Sequence, residues 1–270
     1  MKLIERSSVD ALAVFDDCSA GMNRPRKTRL ESVRSEVESV NRAFLAAADS
    51  GAAFSFPREV IPPSDELRSD MKYLYESKFR DERRSNSLFD SLILQAAGDC
   101  PYCGLDDPRT LDHCLPKSIY PHLSVSPLNL VPSCWACNLA KTDTIGASVN
   151  AYSDEWAAHV PWLVAEMEDL AMPSDLKFSA RMPPGWSDEY GFALNNLLTA
   201  NSLRERYSNR ARTRWNTFKR RYRDTALRGG IRALADHFTD EADTHAEERL
   251  NSWEAAAYRC WATETPRIIW

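Results

Sequence analysis

No stretch of this chain approaches the ~18 to 20 uninterrupted apolar residues that a membrane span needs. Its first residues, MKLIERSSVDALAVFDD, place acids where a secretory signal would keep an apolar core. Both absences predict a cytoplasmic protein with no membrane partner. An internal repeat and a low-complexity tract are also missing, which excludes solenoid and fibrous architectures. Nor is there a basic excess of the kind by which nucleic-acid-binding domains displace counterions from phosphates, since the net charge is −5. Charge is instead segregated. Residues 204–228 hold ten Lys or Arg against two acids, Glu205 and Asp224, and residues 236–248 are strongly acidic.

Disulfides are not expected. The chain has seven cysteines, an odd number, and four of them form two C-x-x-C pairs, which in a reducing compartment points to metal. Cys18, Cys114 and Cys260 remain and read as packed thiols. With 270 residues, 43% of them hydrophobic, there is enough material for one large domain or two ordinary ones.

Residues 1–26 lack periodicity and predict an irregular arm. Over residues 27–48, Leu30, Val33, Val37, Val40, Phe44 and Leu45 recur mostly at steps of three and four, which predicts an amphipathic helix. A proline-rich connection follows, then helical composition over residues 65–97 with a break near residues 84–86. Residues 153–172 read as a helix through Trp156, Val160, Leu163, Met167 and Leu170, and residues 173–186 as a connection. Helices resume from residue 188, with Gly229 and Gly230 as a joint. The expected division is a helical segment 1–97, a compact module 98–150 and a helical segment 151–270.

The module contains GDCPYCGLDDPRTLDHCLPKSIYPHLSVSPLNLVPSCWACNLAK, residues 98–141. Cys100, Cys103, Cys134 and Cys137 offer four soft thiolates, which match a closed tetrahedral structural zinc site. Thirty residues separate the two pairs, more than an ordinary zinc ribbon has, so the insert is where function is expected. Within it TLDH reads as a strand, PLNLVPS as a loop and second strand, and SCWACNLAK as a short helix capped by Ser133. On that helix Cys134, Cys137, Asn138 and Lys141 share one face, leaving Trp135, Ala136, Leu139 and Ala140 as a packing face.

The pattern C-x-x-C, D-H-x-x-P-K, N-L-V-P-x-C-x-x-C-N-x-x-K resembles the HNH endonucleases of the ββα-metal superfamily. The resemblance implies a mainly α protein in which a ββα-metal zinc module is embedded between helical segments. It implies His113 as general base, Asp112 as a metal ligand, Asn129 as a brace of the hairpin and Asn138 as the second metal ligand. Asn138 replaces the family's third histidine, making an H-N-N variant suited to magnesium or manganese, which prefer oxygen ligands. The longer string over residues 111–138 is similar to HNH subunits encoded beside ATPases in anti-phage systems such as Septu and some retrons. That implies a defence effector with DNA as substrate and an ATPase as partner.

The chemistry can also be argued from the residues. Hydrolysing a phosphodiester needs a base poised near neutral pH and a cation for the leaving oxygen, which histidine beside a carboxylate-bound metal supplies. The alternatives are a non-catalytic zinc adaptor, in which His113 orients a zinc knuckle or packs, and an RNA nuclease. Lys117 and Lys141 are candidates for phosphate contact or are solvated lysines. Arg206, Arg210 and Arg214, with Lys219 nearby, form a candidate phosphate track or an ordinary solvated face. Tyr207, Ala211, Trp215, Phe218 and Tyr222 are expected to face inward. Oligomeric state is not legible.

Overall fold

The computed structural model describes residues 1–57, 64–80, 86–96, 98–140 and 149–268. The chain divides into two compact units, Leu3–Glu155 and Trp156–Trp270 with Met1–Lys2.

The first unit begins with a helix where an irregular arm was expected. Helix α1 (Ala11–Ala20) starts because the Asp10 side chain accepts the Ala13 N–H at 2.9 Å, and it buries Val14, Phe15 and Cys18. Its apolar residues run contiguously, so they show no stripe of threes and fours. The helix expected over residues 27–48 is two helices, α2 (Arg24–Ser32) and α3 (Arg34–Asp49), which meet at Val33. Asn23 caps α2, with Pro25 in its first turn, where a missing N–H costs nothing. Helix α4 (Asp65–Tyr73) is capped by Ser64 and runs on as a π-helical turn, Leu74–Arg80. Buried Asp70 ties α2 to α4 through Arg29 (2.6 Å) and Arg26 (3.1 Å). Helix α5 (Asn86–Leu94) follows. Residues 84 and 85, where a break was expected, lie outside the described residues.

Strands β1 (Thr110–His113) and β2 (Leu130–Ser133) pair antiparallel, with Asp112 opposite Val131 and His113 opposite Leu130. Helix α6 (Trp135–Ala140) comes next. A four-residue hairpin is marginal alone. Here Leu111 and Leu130 are packed in one core cluster with Met71, Leu74, Tyr75, Phe79 and Leu92. The loop between the strands packs separately, with Leu115, Ile119, Tyr120 and Leu123 against Phe44, Ala48 and Ala53. Burial of each such leucine contributes about 1.5 to 3 kcal/mol.

In the second unit the helix expected over residues 153–172 is replaced. Helix α7 (Glu155–His159) stops ahead of Pro161, and β3 (Leu163–Met167) then pairs antiparallel with β4 (Leu176–Ala180), inside the stretch expected to be only a connection. Pro161 explains the difference: in a helix interior it removes a hydrogen bond and clashes with the preceding turn. Buried Asn251 fixes the start of β3, its side-chain oxygen accepting the N–H groups of Trp162 (2.9 Å) and Leu163 (3.1 Å).

Helices α8 (Asp188–Ala200), α9 (Leu203–Glu248) and α10 (Trp253–Glu264) complete the unit. Helix α9 reverses direction at Gly230, whose φ of 82° favours glycine. Tyr222 and Phe238 show the reversal, since their ring centroids are 4.9 Å apart. A continuous helix would separate them by about 24 Å along its axis. A side chain on Gly229 would approach the Ala233 Cβ to 2.7 Å, so the joint needs both glycines. Tyr207, Ala211, Trp215 and Tyr222 are buried as expected, and Phe218 is half-buried.

Candidate metal centre and active site

Cys100, Cys103, Cys134 and Cys137 are buried, and their sulfurs lie within 4.8 Å of one another. The Cys103 and Cys134 sulfurs are 3.7 Å apart. That is far beyond a disulfide's ~2.05 Å. It matches the ~3.8 Å edge of a tetrahedron with zinc–sulfur bonds of about 2.3 Å. Both knuckles are shaped to receive thiolates. The Leu105 N–H points at the Cys103 sulfur and the Cys137 N–H at the Cys134 sulfur, each at 3.4 Å. Gly104 (φ 63°) turns the first knuckle, its N–H bonded to the Cys100 carbonyl at 2.8 Å. Mutual thiol hydrogen bonds push Cys134 well down and Cys103 down to about 7, and raise Cys100 and Cys137. The set fits a structural zinc ion with no position left for substrate.

His113 ends β1 and is nearly buried. Its Nε2 lies 2.8 Å from the Ser124 carbonyl. A carbonyl oxygen only accepts, so Nε2 carries the proton, and in the neutral ring the lone pair is then on Nδ1. The Tyr75 ring meets the imidazole edge-on at 4.4 Å between centroids, and the Tyr75 hydroxyl donates to the Leu111 carbonyl at 3.3 Å. The π-helical turn thus clamps the end of β1.

Adjacent strand residues point to opposite faces. Asp112 is buried beside the Tyr102 phenol, whose ionisation is opposed first by burial and then by the Asp112 charge. Asn129 is fully buried. Its oxygen accepts the Leu115 N–H at 2.7 Å, and its amide donates to the carbonyls of Leu115 (3.0 Å) and Leu123 (3.1 Å). Those three bonds close the loop that carries Ser124. Asn138, half-buried on α6, makes no side-chain hydrogen bond among the described residues. The face of α6 expected to pack does not: Trp135 is 67% exposed and Leu139 72%. Cys137 is the buried residue of this short helix, and Cys134 immediately precedes it.

The other candidates are dispersed. Half-buried Lys117 lies 3.7 Å from Glu76 and 5.2 Å from the Tyr75 ring centroid, close to His113's neighbour. Lys141 lies outside the described residues. Arg206 is half-buried, with its guanidinium 3.4 Å from the Asn201 carbonyl. Arg210 and Lys219 are exposed. Arg214 is drawn inward, donating to the Tyr258 hydroxyl at 3.2 Å among the rings of Phe218, Trp253 and Tyr258. The four cations therefore do not form one exposed row.

Segment 149–154 is a support for the hairpin that the motif gave no signal for. The Asn150 amide donates to the Leu128 carbonyl (3.0 Å) and the Tyr152 hydroxyl to the Leu130 carbonyl (2.9 Å), on either side of Asn129. The turn is held by Asp154, whose carboxylate accepts the Asn150 N–H at 2.7 Å and faces the Ser153 hydroxyl at 3.4 Å, with the Arg6 charge acting from further off. Burial outweighs these and pushes the Asp154 carboxyl up to about 7. An unfolded aspartate ionises near pH ~4, so between pH ~4 and ~7 the folded state keeps a proton that the unfolded state has lost. The contribution of this group is full below pH ~4 and is lost as pH rises through ~7. Asp154→Asn is expected to shift the thermal midpoint in the variant's favour by an amount that widens from pH ~4 to ~7 and then levels. Melts across that range check it, and a pH-independent gap would contradict it.

Residues 100–144 match the model of the HNH endonuclease family. Over 212 residues the chain is 26% identical to "Protein ea31" of Escherichia phage lambda, an alignment covering 71% of this chain and 71% of that protein. No solved structure matches. Among the described residues no helix is long and apolar enough to cross a membrane.

Proposed function

We infer that this chain is a divalent-metal-dependent HNH endonuclease that hydrolyses DNA phosphodiester bonds in the cytoplasm, with His113 as general base. The observation that carries this is the bond from Nε2 to the Ser124 carbonyl within the family-matched segment, which supports a base role because it places the ring proton on Nε2 and leaves Nδ1 of the neutral ring as the proton acceptor. Asn129 holds the loop that supplies that carbonyl, so it acts as a positioning residue. Asp112, which is buried, and Asn138, whose side chain makes no hydrogen bond among the described residues, would supply the oxygen donors that magnesium or manganese prefers. Such an ion supplies charge stabilisation for the leaving oxygen. Nδ1 takes the proton of the attacking water while the new phosphorus–oxygen bond forms and the bond to the leaving oxygen breaks. Lys117, Lys141, Arg210 and Lys219 are the cations assigned to phosphates.

Nicking of supercoiled plasmid by the zinc-loaded chain is expected to require added magnesium or manganese and to stop when those ions are withdrawn. Metal-independent nicking would overturn the ligand assignment, and cutting of RNA with plasmid left intact would establish the RNA-nuclease alternative. For the cellular setting we carry the Septu- and retron-like string over residues 111–138 to an anti-phage effector with an ATPase partner. The similarity to a phage-encoded protein does not add to that role. Co-purification with a co-encoded ATPase tests it.

A further inference from the structure

Several exposed arginines here are neutralised by a carboxylate. Arg34 pairs with Asp16, Arg42 with Glu38, Arg212 with Asp175, Arg181 with Glu166 and Arg267 with Glu264. The turn of α9 gathers arginines that are not. Lys219, Arg220, Arg221, Arg223, Arg228 and Arg232 are all exposed, and none has an ion-pair partner among the described residues. In this stretch the acid facing them is half-buried Asp224; the acids of the returning limb begin at Asp236. Clustered like charges on neighbouring turns repel, and a chain with net charge −5 has acids enough to have offset them.

The arrangement is ordered along the helix. Thr217, Arg220, Arg221, Asp224, Thr225 and Arg228 line a single shallow depression. Their steps of three and four put them on one helical face. Arg220 and Arg228 are eight residues apart, about 12 Å along the axis. That is close to the ~12 Å width of the DNA major groove, which separates two phosphate rows. Five of the six cations are arginine, whose planar fork matches phosphate oxygens in pairs.

We propose that this face of the α9 turn is a duplex-DNA docking surface, with Arg220 and Arg221 on one phosphate row and Arg228 on the other, gripping backbone without reading bases. The choice of DNA as the polyanion rests on the nuclease reading; the surface itself rests on the uncompensated charge. The exposed apex residues Leu227 (73%) and Ile231 (39%) offer a competing partner, an anionic membrane. The long, regular charged face favours the duplex.

The test is binding of a labelled short duplex to the full chain in magnesium- and manganese-free buffer, which separates binding from cleavage, over ~50 to ~200 mM salt. Arg220→Gln/Arg221→Gln/Arg228→Gln is expected to weaken binding by about 100-fold at the lower salt. It should flatten the slope of log affinity against log salt by about 2.7, or ~0.9 per phosphate contact. Exposed substitutions should leave the circular dichroism unchanged. Unchanged affinity and slope would overturn the proposal. So would capture of phosphatidylserine vesicles that is lost in Leu227→Ser, with duplex binding unaffected by the triple substitution. A chain that binds duplex through these arginines yet never cuts would leave the surface standing and remove the nuclease reading alone.

Discussion

A Cys134→Ser/Cys137→Ser chain is expected to lose its zinc, about one ion per chain in the wild type, and with it the order of both knuckles and α6. Structural zinc contributes about 10 to 16 kcal/mol at neutral pH, comparable to the whole stability of an ordinary domain. Local packing cannot replace it. Helix α6 spans only Trp135–Ala140, and its Trp135 and Leu139 face solvent. Leu111 and Leu130, by contrast, sit in a core shared with Met71 and Tyr75, so the inner part of the hairpin should outlast the knuckles. Limited proteolysis is therefore expected to cut first within residues 98–109 and 134–140. Metal content and a thermal melt check the rest. A zinc-free variant that melts and resists protease like the wild type would contradict the role given to the ion.

The second large effect is functional. His113→Ala should lower plasmid nicking by roughly 100- to 10,000-fold, the range attributable to a positioned base. Zinc content should not change. The imidazole's contacts include the Ser124 hydrogen bond and the Tyr75 ring, and losing such contacts should cost folding only about 1 to 3 kcal/mol. A large loss of rate with a small loss of stability is the signature of a catalytic group, and the adaptor alternative gives neither metal-dependent nicking nor its loss.

What was legible in the sequence was what depends on local spacing. Two C-x-x-C pairs around an Asp-His dipeptide announced a four-sulfur cluster, and the hairpin formed where TLDH and LVPS indicated. Gly229 and Gly230 marked the reversal of α9 for a backbone reason independent of packing. Misreadings arose where two periods fit the same residues. Leu163 and Met167 suit a helix stripe and also lie on one face of a strand, and Pro161 was the deciding signal. The groups around His113 were invisible, because Tyr75, Ser124, Asn150 and Tyr152 reach it or its hairpin from separate segments. The fate of Arg214 depended likewise on Trp253 and Tyr258 some forty residues on.

The central claim is that the imidazole held by the Ser124 carbonyl takes the proton of the attacking water. Its most direct measurement is the initial rate of plasmid nicking by zinc-loaded wild type and His113→Ala, side by side in saturating magnesium or manganese. A drop of at least ~100-fold with equal zinc content is the expected result. Nicking at an undiminished rate in the variant would contradict it.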